Sequence, residues 1–244
     1  MADARKIALV TGGAKRVGRA IVERLAAAGF DGAFTYLSSE AEAQDLRRSL
    51  ADHGARFVPI RADLTRPEAS IEPIASALTA EFGRLDLLVN SASLYQQANL
   101  AQSSLEMSRR LWAIHVESPM MLCQRFEGAL RQSRGSVVNM LDLLAERPWP
   151  QYLAYCASKA GLWNLTLGLA RELAPEVTVN GIAPGVVEWP KDYPESERQK
   201  YLKRVPLARP GTPQDVAEIV HFLCTAGRYI TGQIIRVDGG RSIT

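Results

Sequence analysis

The feature that most restricts the fold is an alternation between short apolar runs and longer amphipathic segments, which continues along nearly the whole chain. The apolar runs occupy residues 6–11, 32–37, 56–61, 85–90, 137–141, 177–182 and 234–237. Between them, apolar residues recur with helical spacing at residues 16–28, 40–53, 67–82, 107–130, 153–173 and 213–225. Runs this short are typical of buried strands. Their alternation with helices predicts an α/β fold, with a parallel sheet of about seven strands and helices on both faces.

Length and composition favour one domain. The chain has 244 residues, of which 47% are hydrophobic, and this is enough for a single large core. Because the sequence shows no internal repeat, linker or low-complexity segment, we expect one doubly wound domain over residues 1–244. Residues 184–211 are rich in proline and charge, and we expect them to be irregular.

Charge and residue usage argue against several classes of function. The net charge is +3 without any basic block, which disfavours a nucleic-acid partner. No apolar run reaches the ~18 residues of a membrane span, and the first strand begins too early for a signal peptide. The three cysteines and three histidines are scattered and lack metal-ligand spacing. We therefore expect a cytoplasmic protein with reduced cysteines and no metal site.

The first strand-to-helix turn has the composition of a phosphate-binding turn. It reads Thr11-Gly12-Gly13-Ala14-Lys15-Arg16-Val17-Gly18. Glycine lets the backbone come close to a pyrophosphate, and the free amides at a helix N-terminus attract anions. A tight turn that needs glycine only for its own geometry remains an alternative, because the pattern is not the plain G-x-G-x-x-G fingerprint.

A tyrosine and a lysine stand four residues apart in the helical segment after the fifth apolar run. On a helix, Tyr155 and Lys159 share one face. A phenol with a pKa near ~10 is a poor acid-base group at neutral pH, but a neighbouring ammonium favours the phenolate and lowers that pKa. Asp142 stands at the end of the fifth run, where side chains of an open α/β sheet meet ligands. Taken alone, Tyr-x-x-x-Lys is also compatible with a surface pair on an ordinary helix.

Taken in order, these motifs resemble those of the short-chain dehydrogenases/reductases over the whole chain. The matching residues are Thr11, Gly12 and Gly18, Asp63-Leu64, Asn90-Ser91-Ala92, Tyr155 and Lys159, Asn180 through Pro184-Gly185, Ile230-Thr231-Gly232, and Asp238-Gly239-Gly240. The resemblance implies a Rossmann domain that binds NADP, with Tyr155 as general acid and Lys159 holding its pKa down. It also implies a homotetramer, in keeping with the apolar residues found nearly all round residues 153–173.

Three departures from the family pattern narrow the resemblance. Arg16 replaces a glycine, Asp142 replaces a serine, and His115 stands where many members have an active-site asparagine. Arg16 and Asp142, together with the stretch Asn90-Ser-Ala-Ser-Leu-Tyr95, resemble the pteridine reductases, including bacterial dihydromonapterin reductases. The histidine puts the usual asparagine-held proton relay in question, and a structural role is the default for a histidine on a helix.

The expected cofactor is NADPH. Enzymes that prefer NAD usually place an acid at the end of the second strand. Here that end reads Tyr36-Leu37-Ser38-Ser39, with no acid before Glu40, and the serines together with Lys15 or Arg16 suit a 2′-phosphate. The resemblance implies the following cofactor contacts: Gly12, Lys15, Arg16, Val17, Gly18, Tyr36, Ser38, Ser39, Asp63, Leu64, Asn90, Ala92, Tyr155, Lys159, Pro184 and Gly185.

The resemblance also implies a flat pterin as the substrate. Tyr95 stands where pteridine reductases carry the aromatic residue that stacks on the ring, and Ser93 would hydrogen-bond the ring or a cofactor phosphate. Asp142, kept partly protonated by burial, could share a proton with Tyr155 or bind the amino-pyrimidine edge. The expected substrate contacts are Arg16, Ser93, Tyr95, Asp142, Tyr155 and Trp189, and the expected catalytic residues are Asp142, Tyr155 and Lys159.

Two other functions stay open. The first is a carbonyl or 3-oxoacyl reductase of the same family, although an acid in place of a carbonyl-binding serine hydroxyl argues against it. The second is a non-catalytic member that binds NADPH as a sensor or scaffold, and the intact Tyr155 and Lys159 argue against that.

Overall fold

Seven parallel strands form the sheet on which the described part of the chain is built. The computed structural model describes residues 5–189 and 193–244. Its strands are β1 (Ile7–Val10), β2 (Asp31–Tyr36), β3 (Phe57–Arg61), β4 (Leu87–Asn90), β5 (Ser136–Met140), β6 (Thr178–Pro184) and β7 (Ile234–Val237). The strand order is β3-β2-β1-β4-β5-β6-β7. Each predicted strand is confirmed, with its ends shifted by no more than one or two residues.

Helices cover both faces of this sheet, as the alternation predicts. Those of the described residues are α1 (Arg16–Ala27), α2 (Glu40–Asp52), α3 (Pro67–Phe82), α4 (Leu105–Trp112), α5 (Ser118–Ser133), α6 (Leu153–Glu172), α7 (Glu195–Leu202) and α8 (Pro213–Cys224). One core contains residues of α1, α2 and α8, and the other contains residues of α3 and α5. Neighbouring residues of a strand point to opposite faces of the sheet. Val10 packs in the core that contains α1, and Leu9 packs in the core that contains α3.

The helical region predicted over residues 107–130 is divided in the structure. Between α4 and α5, the segment Ala113–Glu117 forms a π-helical turn, and His115 lies buried within it. A π-turn adds one residue to the helical repeat, and such turns are frequent at functional sites. The apolar spacing on either side continues almost unchanged, so the sequence pattern does not reveal the interruption.

The prediction that residues 184–211 are irregular is wrong for part of this stretch. β6 extends to Pro184, and α7 occupies Glu195–Leu202. None of the residues of α7 is buried, so the helix has no apolar stripe for a pattern to detect. Polar pairs support it, because Gln199 Nε2 and Lys200 Nζ each lie 2.7 Å from a glutamate oxygen of the preceding turn. Residues 190–192 of the predicted stretch lie outside the described residues.

The centre of the sheet positions the site. β1 neighbours both β2 and β4, so the strand order reverses there, and open α/β sheets bind ligands beside the carboxyl ends of strands at such a point. The Thr11 hydroxyl oxygen accepts hydrogen bonds from the amides of Ser91 (2.9 Å) and Ala92 (3.0 Å). These bonds hold the loops after β1 and β4 together. In the described residues, no helix is both long and apolar enough to cross a membrane.

Candidate active site

A cleft of about 970 Å³ lies at the carboxyl ends of the central strands. Most residues predicted to form the site line it: Gly12, Lys15, Arg16, Val17, Gly18, Tyr36, Ser38, Asp63, Leu64, Ala92, Ser93, Tyr95, Asp142, Tyr155, Lys159, Pro184, Gly185 and Trp189. The structure therefore brings together residues from nearly 180 positions of sequence. A cleft of this size is at the upper end of ordinary small-molecule sites.

Two predicted cofactor contacts, Ser39 and Asn90, are not among the residues that line the cleft. Asn90 is the last residue of β4 and is only 4% exposed. Its Nδ2 donates to Asn139 Oδ1 at 2.8 Å, and Asn139 Nδ2 donates to the Thr166 hydroxyl of α6 at 2.9 Å. Asn90 thus links strands and helix within the interior. Ser39 is a partly buried residue at the N-terminus of α2, where its side chain caps no amide.

The glycine turn after β1 is packed so closely against neighbouring backbone that two of its positions have no room for a side chain. Gly12 has φ +66°, and a Cβ there would lie 2.9 Å from Ala92 Cα. A Cβ on Gly18 would lie 2.1 Å from the Gly12 carbonyl oxygen. The turn therefore brings bare backbone and the N-terminus of α1 to the cleft, an arrangement that suits the diphosphate of a dinucleotide.

The two cations of this turn are each held by an acid. Lys15 Nζ lies 2.6 Å from Glu42 Oε1, and Arg16 Nε lies 2.6 Å from Glu188 Oε2. All four side chains are largely exposed, so each ion pair is weak and can exchange for a phosphate. Arg16 also adopts φ +52°, a left-handed conformation that is uncommon for a residue other than glycine.

The predicted catalytic residues meet at the ends of β5 and α6. Tyr155 Oη donates to Asp142 Oδ2 at 2.7 Å, and Asp142 Oδ1 accepts from the Leu144 amide at 2.8 Å. Lys159 Nζ donates to the Met140 carbonyl oxygen at 2.8 Å and lies 6.0 Å from the centre of the Tyr155 ring. Tyr155 is 4% exposed and Lys159 is 2% exposed. This enclosure shifts the proton affinity of all three groups.

The electrostatics differ in one respect from the sequence-based prediction. Burial, followed by the charge and hydrogen bond of Asp142, raises the pKa of Tyr155 well above its ordinary value, whereas Lys159 was expected to lower it. Burial raises the pKa of Asp142, in the predicted direction. Burial lowers the pKa of Lys159 to about 8, although the Asp142 charge opposes this shift. The raised pKa values favour the protonated forms of Tyr155 and Asp142 in this state.

His115 lies behind the reaction centre and holds two serines. Its Nδ1 is 2.8 Å from Ser158 Oγ, and its Nε2 is 2.8 Å from Ser93 Oγ. Ser158 donates its single hydroxyl proton to the Tyr155 carbonyl oxygen at 2.7 Å, so the Nδ1 of His115 must carry a proton and donate it. Burial lowers the pKa of His115, which keeps the ring neutral and makes Nε2 an acceptor. Ser93 therefore donates to His115 and presents only acceptor lone pairs to the cleft.

Aromatic side chains form one wall of the cleft. Tyr95 stacks on Tyr152 with ring centres 4.8 Å apart and meets the Tyr155 ring edge-on at 4.9 Å. Trp189 stacks on Tyr193 at 5.0 Å and meets Tyr201 edge-on at 5.4 Å. Sequence analysis missed several lining residues of this end: Arg147, Trp149, Tyr152, Tyr193, Tyr201, Arg241 and Ser242. Arg147, Trp149 and Tyr152 stand between the predicted Asp142 and Tyr155 in the sequence, and Arg241 and Ser242 directly follow the Asp238-Gly239-Gly240 motif. No sequence signal pointed to Tyr193 and Tyr201.

Two further observations bear on the chemistry available here. Asp63 accepts hydrogen bonds from the Thr65 amide and hydroxyl at 3.0 and 2.7 Å. Burial acts to raise the pKa of Asp63, but these bonds leave it below its ordinary value, so the group stays ionised. Within the described residues, no group of histidine, cysteine, aspartate and glutamate side chains could hold a metal ion.

Known proteins are similar to this chain over nearly its whole length. Residues 12–242 match the sequence model of a family described as Enoyl-(Acyl carrier protein) reductase. Pteridine reductase 1 of Leishmania tarentolae is 32% identical, over 98% of this chain and 96% of the relative. The 3-oxoacyl-[acyl-carrier-protein] reductase FabG of Vibrio cholerae is 34% identical, over 96% of each chain.

A solved structure extends these matches to three dimensions. The crystal structure of FolM alternative dihydrofolate reductase 1 from Brucella canis, complexed with NADP, superposes with a TM-score of 0.88 and 33% identity. The superposition covers 98% of this chain and 95% of that one. Together with the strand order and the Tyr155 and Lys159 pair, these matches show that the chain belongs to the short-chain dehydrogenase/reductase family.

Proposed function

We propose that this protein is an NADPH-dependent pteridine reductase that converts a dihydropterin into its tetrahydro form. The observation that carries the proposal is the 2.7 Å hydrogen bond between Tyr155 Oη and Asp142 Oδ2, inside a cleft walled by aromatic rings. A carboxyl group beside the general acid Tyr155 can accept hydrogen bonds from the N–H groups of an amino-pyrimidine. It can also supply a proton. A site that reduces only simple carbonyl groups has no use for either property.

The cofactor is NADPH. The glycine turn fits a diphosphate, and no acid stands at the end of β2 to select a free ribose 2′-hydroxyl. Lys15, Arg16 and Ser38 line the same end of the cleft and supply two cations and a hydroxyl for a 2′-phosphate. When bound, NADPH supplies the hydride. An equal kcat/KM with NADH and NADPH would contradict this cofactor preference.

The residues of the reaction centre deliver and replace one proton. Tyr155 donates its phenolic proton to the ring nitrogen next to the carbon that is reduced. Asp142 in its protonated form then passes a proton to the phenolate across the contact that joins their oxygens, and solvent water reprotonates Asp142. Lys159 stabilises the phenolate as it forms, because its ammonium lies within the same enclosed space. The Met140 carbonyl oxygen fixes the position of that ammonium.

The remaining predicted contacts suit the recognition of a flat heterocycle. Tyr95 is 54% exposed and lies beside Tyr155, so its ring can stack on a planar substrate. Ser93 offers acceptor lone pairs only, which suits an amino or ring N–H group and excludes a phosphate as its partner. We therefore assign Ser93 to the pterin ring and not to a cofactor phosphate.

A 3-oxoacyl reductase is the second candidate, and the similarity to the Vibrio cholerae enzyme favours it. The two candidates are separated by measuring NADPH oxidation with a dihydropterin, a quinonoid pterin and a 3-oxoacyl ester in parallel. We expect the highest kcat/KM with the dihydropterin. Faster reduction of the 3-oxoacyl ester than of any pterin would overturn the pterin assignment and leave the family assignment standing.

We further propose that the protein is a cytoplasmic homotetramer. α4, α5 and α6 leave large apolar side chains exposed, namely Leu105, Trp112, Met120, Leu153 and Leu167. Such residues favour association with further copies of the chain. The cysteines Cys123, Cys156 and Cys224 are all free and buried, as suits a reducing compartment. Light scattering at micromolar concentration should give the tetramer mass, and a monomer mass would contradict the proposed assembly.

A further inference from the structure

We propose that Arg241 forms an anion-binding subsite at the substrate end of the cleft, and that the preferred substrate therefore carries a carboxylate or phosphate group. The inference rests on the proposed function, because it identifies the substituent on the pterin ring that Tyr155 would protonate. Arg241 comes later in the sequence than every residue that the family resemblance assigned to the site.

Arg241 is a buried cation that has no anionic partner among the described residues. It lines the cleft and is 8% exposed. Its Nε is buried and has no hydrogen-bond partner among the described residues. Burying an unpaired charge costs free energy unless a partner compensates for the lost hydration. An anion of the substrate is the partner that the position lacks.

The nearest acid in sequence is already committed elsewhere. The Asp238 carboxylate accepts hydrogen bonds from the amides of Gly240 (2.9 Å) and Ser242 (2.7 Å). It thereby closes the turn that carries Arg241 and leaves the guanidinium unpaired.

The turn itself is built to hold this position. Gly240 has φ +88°, and a Cβ there would lie 2.8 Å from Pro206 Cγ, so glycine permits the close approach. The Thr244 hydroxyl donates to the Arg204 carbonyl oxygen at 2.8 Å, and Arg147 Nη1 lies 3.3 Å from the Thr244 carbonyl oxygen. These contacts hold the backbone on either side of Arg241 against the rim of the cleft.

The surrounding rings connect Arg241 with the reaction centre. Its guanidinium carbon lies 5.5 Å from the centre of the Tyr201 ring, which meets the rings of Trp149 and Trp189 edge-on. Burial raises the pKa of Tyr201, and of the nearby charges Arg241 lowers it while Asp142 raises it. Tyr201 lines the cleft together with Arg241 and Asp142. A ring bound beside Tyr155 could direct a side chain along this aromatic wall to Arg241.

The chemistry of the guanidinium favours an oxyanion. Arginine presents a planar fork of donors that matches a carboxylate or phosphate in a bidentate way. Arg147 lines the same end and adds a second positive charge.

The test compares three dihydropterins that differ only in the side chain: a 6-hydroxymethyl, a 6-carboxylate and a phosphate ester. In the wild type, we expect the lowest KM for an anionic compound, and the choice between carboxylate and phosphate identifies the anion. Arg241→Gln should raise the KM of that compound by about 10- to 100-fold and leave the hydroxymethyl compound nearly unchanged. Arg241→Lys keeps the charge without the fork, and it should give an intermediate KM.

The control is Arg125→Gln, which removes one positive charge from an exposed ion pair with Glu72 outside the cleft. It should leave all three KM values unchanged. A wild type without preference for anionic compounds would overturn the subsite. So would an equal loss for all three compounds in Arg241→Gln, or a changed oligomeric mass without changed selectivity, because Arg241 would then act in folding or assembly.

A binding measurement separates failure of the subsite from failure of the proposed function. The fluorescence of pterin-6-carboxylate reports its binding to the wild type and to Arg241→Gln, each loaded with NADP⁺. Weaker binding to the variant supports the subsite even if the wild type reduces no pterin, in which case only the proposed function fails. Equal binding to both proteins overturns the subsite, whatever the wild type reduces.

Discussion

Tyr155 and Asp142 form one acid-base unit, because the tyrosine Oη donates to the aspartate Oδ2 at 2.7 Å in a nearly closed part of the cleft. The two residues come from different elements, since Tyr155 lies in the first turn of α6 and Asp142 follows β5. Burial raises the pKa of both groups, so the unit retains a proton at a pH where an exposed carboxyl has lost it.

Tyr155→Phe should lower turnover of a dihydropterin by about 10²–10⁴-fold, since it removes the positioned acid. NADPH should still bind, because Lys159 stays in place through its bond to the Met140 carbonyl oxygen. Steady-state kinetics and cofactor fluorescence titration measure the two effects. Asp142→Ser is the companion variant, and it should lower pterin turnover sharply while favouring simple carbonyl substrates. Intact pterin reduction in either variant would mean that the proton comes from another group.

The pH dependence of kcat/KM should report Lys159. Its ammonium is needed to stabilise the phenolate, so activity should fall as pH rises through an apparent pKa of about 8. The Asp142 charge raises the pKa of Lys159, and Asp142→Asn should therefore move the alkaline limb of the residual activity to lower pH. A limb that stays in place or moves to higher pH would show that another group controls it.

Arg16→Gly should separate backbone strain from cofactor recognition. Arg16 has φ +52°, and glycine there removes the cost of a left-handed side-chain residue, so unfolding should become harder by about 0.5–1 kcal/mol. The affinity for NADPH should fall while that for NADH stays the same, since one of the two cations near the glycine turn is lost. Thermal unfolding and cofactor titration measure the two effects.

Arg134→Gly is the matched control for Arg16→Gly. Arg134 has φ +49° at the exposed C-terminus of α5, outside the cleft. It should give a similar gain in stability without any change in cofactor affinity. Equal loss of NADPH and NADH affinity in Arg16→Gly would contradict a role in reading the 2′-phosphate.

The central strands were predictable because burial on both faces gives a short apolar run. β5 illustrates this, since every residue of Ser136–Met140 is buried and the predicted run covers residues 137–141. α7 was not predictable, because an exposed helix has no apolar period. The turn that buries His115 was hidden for a related reason, since one additional residue in a helical repeat scarcely changes the apolar spacing.

The site was predictable where a motif marked it and unpredictable where only tertiary structure creates it. Asp142, Tyr155 and Lys159 meet as the motif spacing indicates. Asn90 matched a motif but lies in the interior, because its amide is used to join β4 to β5. Arg241 matched no motif, and it reaches the cleft only through the turn that closes the last strand.

Tyr95→Ala should raise the KM for a dihydropterin and leave the Kd of NADPH nearly unchanged. The Tyr95 ring stacks on Tyr152 and meets Tyr155 edge-on, so its removal opens the substrate side of the reaction centre. Loss of an aromatic partner costs about 0.5–1.5 kcal/mol beyond the lost contact area. Tyr95→Phe is the control, and it should behave like the wild type because stacking needs the ring only. An effect of Tyr95→Phe as large as that of Tyr95→Ala would indicate that the hydroxyl group is the functional part.

Ser93 and His115 should act as a single unit in substrate binding. His115 Nε2 accepts the Ser93 hydroxyl proton at 2.8 Å, which turns the serine lone pairs towards the cleft. Ser93→Ala removes the acceptor, and His115→Phe removes the group that orients it while keeping a ring in the buried space. Each variant should raise the KM for the dihydropterin by about two- to tenfold, the usual effect of one hydrogen bond.

The double variant distinguishes this unit from two independent roles. Because both single changes remove the same interaction, Ser93→Ala combined with His115→Phe should raise the KM no further than either change alone. His115 also donates to Ser158, so thermal unfolding of each variant must be measured to account for lost stability. Effects on KM that multiply in the double variant would show that His115 supports the fold only, and that Ser93 needs no orienting partner.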